Sequence, residues 1–280
     1  MESAVLSPPP QPPELPEEAR PRWPWWYGPV GFLLGGLLGL ITAGIAWAAL
    51  GVDDPGESPA AIIAGTLLLD GALVGIALLL ASRVRRPRPW HFGLRRTPFW
   101  PAVGWATLGM VAFYVFAAIY TVVVQPDVEQ TVAEDLGAGE STIGLVAAGF
   151  MIICVAPFAE EFFFRGFFYG ALRTRFGVAV AAIIDGLVFG LIHFEGSADG
   201  LLIVPPLAVL GIVFCLVYEK TRSLYPVVAL HSLNNSIAYA AQADGGAVSL
   251  VLGPLMLAAC ALAPRLARPA PAPLRGSLVA

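Results

Sequence analysis

Long apolar runs, separated by short polar segments, fill the chain from residue 28 onward. A transmembrane helix needs about 20 apolar residues to cross the ~30 Å hydrocarbon core of a bilayer, and these runs reach or approach that length. They lie at about 28–50, 59–82, 99–124, 141–172, 178–194, 201–218, 224–241 and 247–263. The pattern predicts an all-α fold, a polytopic transmembrane bundle of about eight helices.

Basic and acidic residues alternate between the segments that join these runs. Lys and Arg lie in the N-terminal tail, at 83–98, at 165–175, at 220–222 and after 263, whereas the other four loops carry acidic residues. Because Lys and Arg concentrate on the cytoplasmic side of membrane proteins, this alternation predicts an even number of crossings with both termini cytoplasmic. We expect a multi-pass protein of the cell membrane.

The chain divides into four parts. Residues 1–27 are rich in proline and charge, which is typical of a flexible cytoplasmic tail, and they lack the segments that mark a removable signal peptide. Residues 28–139 hold the N-terminal transmembrane helices. Residues 140–241 hold most of the charged and histidine residues that interrupt apolar runs, and residues 242–280 hold the last transmembrane helix and a second cytoplasmic tail.

Composition narrows the classes of function. Of the 280 residues, 57% are apolar and 13% are charged, whereas soluble domains carry about 25% charged residues. The net charge of −4 offers no basic field for DNA or RNA, so we expect no nucleic-acid partner. The cysteines Cys154, Cys215 and Cys260 lack CxxC spacing, which argues against both a disulfide framework and a thiolate zinc site.

Seven ionisable residues lie inside the apolar runs, where each is costly. A charged residue at the centre of a membrane helix costs about 2.5–3.5 kcal/mol on insertion scales, so it is a functional candidate by default. The seven are Asp70, Glu160, Glu161, Arg165, Asp185, His193 and His231. We expect Asp70 to face the bundle interior and Asp185 to cap a helix or bond across helices, and we assign neither to catalysis.

The segment AEEFFFRGFF places two adjacent glutamates on different faces of one helix. Glu161 and Arg165 are four residues apart and face each other, whereas Glu160 is rotated by about 100°. We infer that Arg165 neutralises Glu161, which leaves Glu160 without a countercharge and suited to act as a general base. The alternative is that all three residues form one structural cluster.

Two further segments carry histidines. In DGLVFGLIH, Phe189 lies one turn before His193 and is placed to seat its ring. In HSLNN, His231 and Asn235 share a helical face and form a donor pair suited to a developing oxyanion, while Asn234 points elsewhere. The alternatives are a hydrogen-bonded packing histidine in the first segment and an interhelical polar clasp in the second.

Three motifs occur in order: Glu160-Glu161-x-x-x-Arg165, Phe189-x-x-x-His193 and His231-x-x-x-Asn235. They resemble the EExxxR, FxxxH and HxxxN signatures of the type II CAAX prenyl endopeptidases and their prokaryotic relatives, the CPBP (Abi) intramembrane proteases. The sequences around the motifs, such as EEFFFRGFF and LVFGLIH, are also similar to those of members of that family. The resemblance covers roughly residues 140–241, which are therefore the expected catalytic core.

The resemblance implies an intramembrane endopeptidase that hydrolyses a peptide bond in a membrane-associated peptide or protein. Glu160 and His193 would activate water, and His231 and Asn235 would hold the oxyanion. Glu161, Arg165 and Phe189 would support the site. The implied partners are the lipid bilayer and a peptide or protein substrate, lipidated or not. The short loops and the Arg-rich cytoplasmic face look prokaryotic, so a prenylated CaaX tail is the less favoured substrate.

Members of that family have been described both as metalloproteases and as glutamate-dependent proteases. We favour a metal-free glutamate mechanism, because Asn is a poor zinc ligand and its pairing with His231 suits an oxyanion hole better. The alternative cofactor is zinc, held by Glu160, His193 and His231 with water in the fourth position.

Two functions of other classes remain as alternatives. A non-catalytic immunity or scaffold protein would retain the motifs for packing, and its cellular effect would survive Glu160→Gln. A proton-coupled transporter also places carboxylates and histidines at mid-depth in the membrane. The chain shows no internal repeat with matching interruptions, which counts against the transporter.

Overall fold

The structure, a computed structural model, describes residues 23–126, 131–194, 196, 200–242 and 245–266. In these ranges the regular structure is helical, with short 3₁₀ turns at Pro55–Glu57, Pro89–Phe92 and Gly200–Leu202. The nine described α-helices are α1 (Tyr27–Leu50), α2 (Pro59–Val84), α3 (Phe99–Val124), α4 (Val132–Asp135), α5 (Thr142–Leu172), α6 (Val178–Leu191), α7 (Val204–Thr221), α8 (Leu224–Gln242) and α9 (Gly246–Leu266). Eight of them coincide with the eight predicted runs, which confirms the all-α fold class. The hydrophobic pattern did not predict α4, a single turn.

Six described helical segments are long and apolar enough to cross a membrane, by length and composition. They are Tyr27–Leu50, Pro59–Val84, Phe99–Val124, Thr142–Leu172, Gly200–Thr221 and Gly246–Leu266. The two other predicted crossings are not among them. With 14 residues, α6 is about 21 Å long, and α8 carries polar residues that lower its hydropathy. The protein is a multi-pass membrane protein, and the cytoplasmic placement of its termini stays a prediction.

The packed bundle begins at Trp23, inside the segment 1–27 that the sequence assigns to a tail. Trp23 is fully buried and stacks on Phe92 and Phe167, with ring centroids 5.2 and 5.4 Å away. Its indole N–H donates to the carbonyl oxygen of Phe167 at 3.2 Å. These contacts anchor the start of α1 to α5. The remainder of the predicted tail, residues 1–22, lies outside the described residues.

Glycines of α1 let the backbones of α1 and α2 approach each other. A Cβ atom on Gly35 would lie 3.0 Å from the Cα of Leu73, and one on Gly39 would lie 2.7 Å from the Cα of Leu69. Gly36, between them, has nothing within 4 Å of such an atom. Small residues at this contact are typical of tightly packed membrane helices.

Two π-helical stretches, Met151–Val155 and Phe162–Tyr169, interrupt α5. Pro157 follows the first stretch, and it has no N–H to donate to the preceding turn. The N–H of Ala156 bonds to the carbonyl of Met151. The carbonyl of Ile152 is therefore left without a helical donor, and it is free to accept a hydrogen bond from another part of the molecule.

Gly39→Ala is expected to destabilise the bundle by about 1–3 kcal/mol, because the added methyl group would push α1 away from α2. Gly36→Ala is the matched control, since it adds the same group in open space. We expect this control to be neutral or slightly stabilising, because Ala has the higher helix propensity. Thermal unfolding in detergent measures both variants, and equal unfolding midpoints would contradict the close approach of the two helices.

Candidate active site

A buried ion cluster forms the centre of the candidate site. Nη1 of Arg165 lies 2.9 Å from Oε1 of Glu161, and both side chains are fully buried. The two residues are four apart on α5, and they form the facing pair that the spacing predicts. Removing one partner of a buried pair leaves an uncompensated charge, which costs about 3–5 kcal/mol. Each residue therefore holds the other in place.

Asp185 is the second carboxylate of this cluster. Its Oδ1 lies 3.5 Å from Nε of Arg165 and accepts a hydrogen bond from the thiol of Cys215 at 3.1 Å. Asp185 thus bonds across helices, which is one of the two roles expected for it. Its membership of the site was not predicted, because no spacing rule connects a residue of α6 with one of α5.

The rest of the Arg165 guanidinium is enclosed by α6 and α7. Nη2 donates to the carbonyl oxygen of Gly211 at 3.0 Å, and Cζ lies 4.5 Å from the ring centre of Phe189 and 5.0 Å from that of Phe214. A Cβ atom on Gly211 would lie 2.8 Å from the Cα of Gly186. Two glycines therefore let α6 and α7 come close enough to surround the cation with a carbonyl and two aromatic faces.

His231 bridges the two adjacent glutamates. Its Nδ1 lies 2.9 Å from Oε1 of Glu161, and its Nε2 lies 4.0 Å from Oε2 of Glu160. Oε1 of Glu161 also accepts from Arg165, which marks it as an ionised acceptor, so Nδ1 of His231 carries the hydrogen. In the neutral ring, Nε2 then holds the lone pair and faces Glu160.

Glu160 makes no ion pair with Arg or Lys among the described residues. Its ion-pair contact there is the 4.0 Å approach to His231, and its Oε2 is buried without a hydrogen-bond partner. The Glu160 side chain is 16% exposed, whereas that of Glu161 is 0% exposed. Two consecutive glutamates thus occupy different environments: Glu161 is buried and paired with Arg165, and Glu160 is partly accessible and has no Arg or Lys partner in the described residues.

His193 lies two residues after the end of α6. Its Nδ1 is 2.8 Å from the carbonyl oxygen of Phe189, and because a carbonyl only accepts, Nδ1 carries the hydrogen. In the neutral imidazole the lone pair is then on Nε2. The Phe189 ring contacts both imidazoles, with its centroid 5.1 Å from that of His193 and 5.9 Å from that of His231. The ring of Phe189 therefore packs against His193 and also against His231, so it contacts both imidazoles of the site.

Asn235 is fixed by the irregular part of α5. Its Nδ2 donates at 2.9 Å to the carbonyl of Ile152, which Pro157 leaves without a helical donor. Asn234, expected to point elsewhere, instead donates to Oδ1 of Asn235 at 3.3 Å. The presence of Pro157 in an apolar helix was the sequence signal for this free carbonyl, since a helix-interior proline always removes one donor.

Asp70 on α2 is a buried carboxyl that the sequence leaves unassigned. It is 9% exposed and faces the interior, as expected, and its Oδ2 has no hydrogen-bond partner in the described part of the chain. α2 packs against residues 156–161 of α5, and the carboxyls of Asp70 and Glu160 lie within electrostatic range of each other. Asp70 therefore adds a carboxyl beside the site at a position that none of the three motifs includes.

The zinc alternative requires Glu160, His193 and His231 to converge on one ion. Across the residues that the structure describes, no group of three or more His, Cys, Asp or Glu side chains could hold a metal ion. Nδ1 of His231 is bonded to Glu161, and its Nε2 lies 4.0 Å from Oε2 of Glu160.

Residues 142–237 match the model of a protein family that is described as type II CAAX prenyl endopeptidase Rce1-like. This segment, about a third of the chain, is therefore similar to that family. The match confirms the family that the three motifs indicate. No curated protein and no solved structure matches the chain.

The Rce1-like segment covers α5, α6, α7 and most of α8, and it contains the seven motif residues from Glu160 to Asn235. At the level of the family, it supports a CAAX protease-like intramembrane peptidase. A lipid bilayer and a peptide substrate follow from the same family and from the six apolar helices. Asp70, on α2, lies outside the Rce1-like segment.

The two buried aspartates are expected to respond oppositely to the loss of their charge. Asp70→Asn replaces a buried carboxyl whose Oδ2 has no hydrogen-bond partner in the described residues, so we expect stability to stay equal or to rise by about 1–3 kcal/mol. Asp185→Asn removes the negative charge next to Arg165, so we expect a loss of about 3–5 kcal/mol. Thermal unfolding in detergent compares the two. Equal destabilisation by both variants would show that Asp70 has a partner as important as Arg165.

Proposed function

We propose that the protein is an intramembrane endopeptidase in which Glu160 and His193 activate the water that attacks a peptide bond. The observation that carries this proposal is the contrast between the two adjacent glutamates. Glu161 is bonded to both Arg165 and His231. Glu160 has no Arg or Lys partner in the described residues and faces Nε2 of His231. A carboxylate with this freedom is suited to general-base work.

The proton balance of the proposed reaction is simple. Glu160 takes a proton from water as the water oxygen bonds to the substrate carbonyl carbon, and a tetrahedral oxyanion forms. The C–N bond then breaks as the protonated Glu160 returns that proton to the leaving nitrogen. Nε2 of His193 holds a lone pair, because Nδ1 donates to Phe189. It accepts a hydrogen bond from the second hydrogen of the attacking water, and that hydrogen stays on the oxygen that becomes part of the new carboxyl group.

His231 and Asn235 are the proposed oxyanion donors. Nδ1 of His231 is already committed to Glu161, so the ring donates from Nε2 when it carries a second proton. The carboxylate of Glu161 stabilises that imidazolium, as a buried acid does in other histidine-dependent hydrolases.

The proposed substrate is a peptide or protein segment that enters from the membrane. The family match names prenyl endopeptidases, and α5 and α7 lie in apolar segments long enough to span a bilayer. A site inside such a bundle is reached by a substrate that is itself at the membrane. We propose a membrane-associated peptide, and a comparison of prenylated and unprenylated peptides of the same sequence would show whether lipidation contributes to recognition.

Glu160→Gln is expected to lower kcat for a quenched peptide by about 10²–10⁴-fold while leaving the unfolding midpoint unchanged. Glu161→Gln is the matched comparison, one residue away on the same helix. It should lower both activity and stability, because it removes the negative charge to which both Arg165 and His231 are bonded. The measurement pairs cleavage kinetics with thermal unfolding in the same detergent.

Full cleavage by Glu160→Gln would overturn the role of Glu160 as the general base. If that variant lost cleavage but kept the cellular effect of the wild type, a non-catalytic immunity or scaffold protein would be favoured. Substrate uptake by proteoliposomes without any peptide cleavage would favour the proton-coupled transporter.

The metal-free form of the proposal predicts that exhaustive chelation leaves the cleavage rate unchanged. The reason is that the side chains of the site bond to one another, to carbonyls and to aromatic rings rather than converging as ligands. The control is the same chelated sample with zinc added back. Complete loss of cleavage on chelation, restored by zinc, would overturn the metal-free mechanism.

A further inference from the structure

We propose that Tyr114 positions Asn235 for oxyanion binding, acting through the side chain of Asn234. This inference rests on the proposed function. Tyr114 lies on α3, outside the Rce1-like segment, and its hydroxyl donates to Oδ1 of Asn234 at 3.2 Å. Nδ2 of Asn234 donates to Oδ1 of Asn235 at 3.3 Å, and Nδ2 of Asn235 donates to the carbonyl of Ile152 at 2.9 Å.

The direction of this chain of hydrogen bonds follows from its fixed end. The carbonyl of Ile152 can only accept, so Asn235 must present Nδ2 to it and Oδ1 to Asn234. Asn234 must then present Nδ2 to Asn235 and Oδ1 to Tyr114. The hydroxyl of Tyr114 is accordingly the donor at the other end. Reversing one amide would set two acceptors or two donors against each other.

The consequence for the site lies at Nδ2 of Asn235. An amide nitrogen has two hydrogens, and Ile152 uses one of them. The second is the donor proposed for the oxyanion. If the amide turned over, Oδ1 would take that position and repel the developing negative charge. Asn234 and Tyr114 act by making the productive orientation the favoured one.

The exposure of Tyr114 supports the same reading. Tyr114 is 37% exposed on an apolar helix of 26 residues, where Phe would fill the space without a hydroxyl to satisfy. A hydroxyl that faces an apolar medium needs a partner, and the one partner found for it in the described residues is Asn234. The hydroxyl is therefore explained by the chain of hydrogen bonds and not by packing.

Tyr114→Phe is expected to lower kcat by about 3- to 10-fold and to leave KM within about 2-fold, because the oxyanion exists only beyond the ground state. Tyr120→Phe is the matched control. It removes a hydroxyl from the same helix that donates to the carbonyl of Leu202 at 2.9 Å, outside the site, and we expect no change in kcat. If the role of Tyr114 were purely structural, Tyr114→Phe would instead change the unfolding midpoint, and it would not lower kcat selectively over KM.

A double-mutant cycle tests the route through Asn234. Since Tyr114 acts only through that side chain, Tyr114→Phe combined with Asn234→Ala should be no slower than Asn234→Ala alone. If the fold-losses in kcat of the two single variants multiplied in the double variant, the proposed route through Asn234 would be overturned. Equal kcat values for the wild type, Tyr114→Phe and Tyr120→Phe would overturn the proposal itself.

A spectroscopic readout keeps the inference separate from the proposed function. Asn234 and Asn235 are the only two asparagines of the chain, so labelling with ¹⁵N-asparagine yields two side-chain amide signals. We expect both signals to shift in Tyr114→Phe and neither to shift in Tyr120→Phe. Unshifted signals in Tyr114→Phe would refute the chain of hydrogen bonds. Shifted signals in a protein that cleaves no peptide would keep the chain and overturn its oxyanion role together with the proposed function.

Discussion

The enclosure of Arg165 is the constraint on which the site depends. A guanidinium does not give up its proton in a protein, so a bundle that buries it must supply the solvation that water would otherwise give. Here that solvation comes from a carboxylate of α5, a carboxylate of α6 and a carbonyl of α7. Three helices are thereby drawn to one point. The fourth, α8, joins through His231, which shares the acceptor oxygen of Glu161 with Arg165.

This arrangement explains why two consecutive glutamates are useful. On a helix, neighbouring positions differ in direction by about 100°, so one residue can face the ion cluster while the next faces away from it. The carboxylate of Glu161 is used to balance the charge of Arg165, and the carboxylate of Glu160 remains available for the proposed chemistry. A single glutamate could not be both tightly paired and reactive. The order of the two residues thus follows from the side of α5 on which Arg165 lies.

The fold was predictable because membrane helices are marked by length and apolarity, and eight of the nine described helices follow the hydrophobic runs. Within the site, contacts inside one helix were predictable, as for Glu161 with Arg165 and Phe189 with His193, because helical spacing sets them. Contacts between helices were not. The bond of His231 to Glu161 joins residues 70 apart, and that of Asp185 to Arg165 depends on how α6 lies against α5. Spacing contains no information on either.

The shortness of α6 and the polarity of α8 show the same limit from another side. Hydropathy predicts both as crossings, yet α6 ends at Leu191 and leaves His193 beyond it. The end of the helix places the imidazole at a chain position where its Nδ1 bonds to the backbone of the last turn. A residue beyond the end of a helix is thus still held by a hydrogen bond to the backbone of that helix.

Pro157 has a consequence for the way stability and chemistry are related in this protein. By helix propensity it is a defect, and an ordinary residue there would regain a backbone hydrogen bond. The regained N–H would compete with Asn235 for carbonyls of the Met151–Val155 turn. A more regular and more stable α5 would therefore weaken the hydrogen bond that now holds the Asn235 amide. Pro157 thus lowers the stability of the helix locally while it keeps a residue of the proposed site in place.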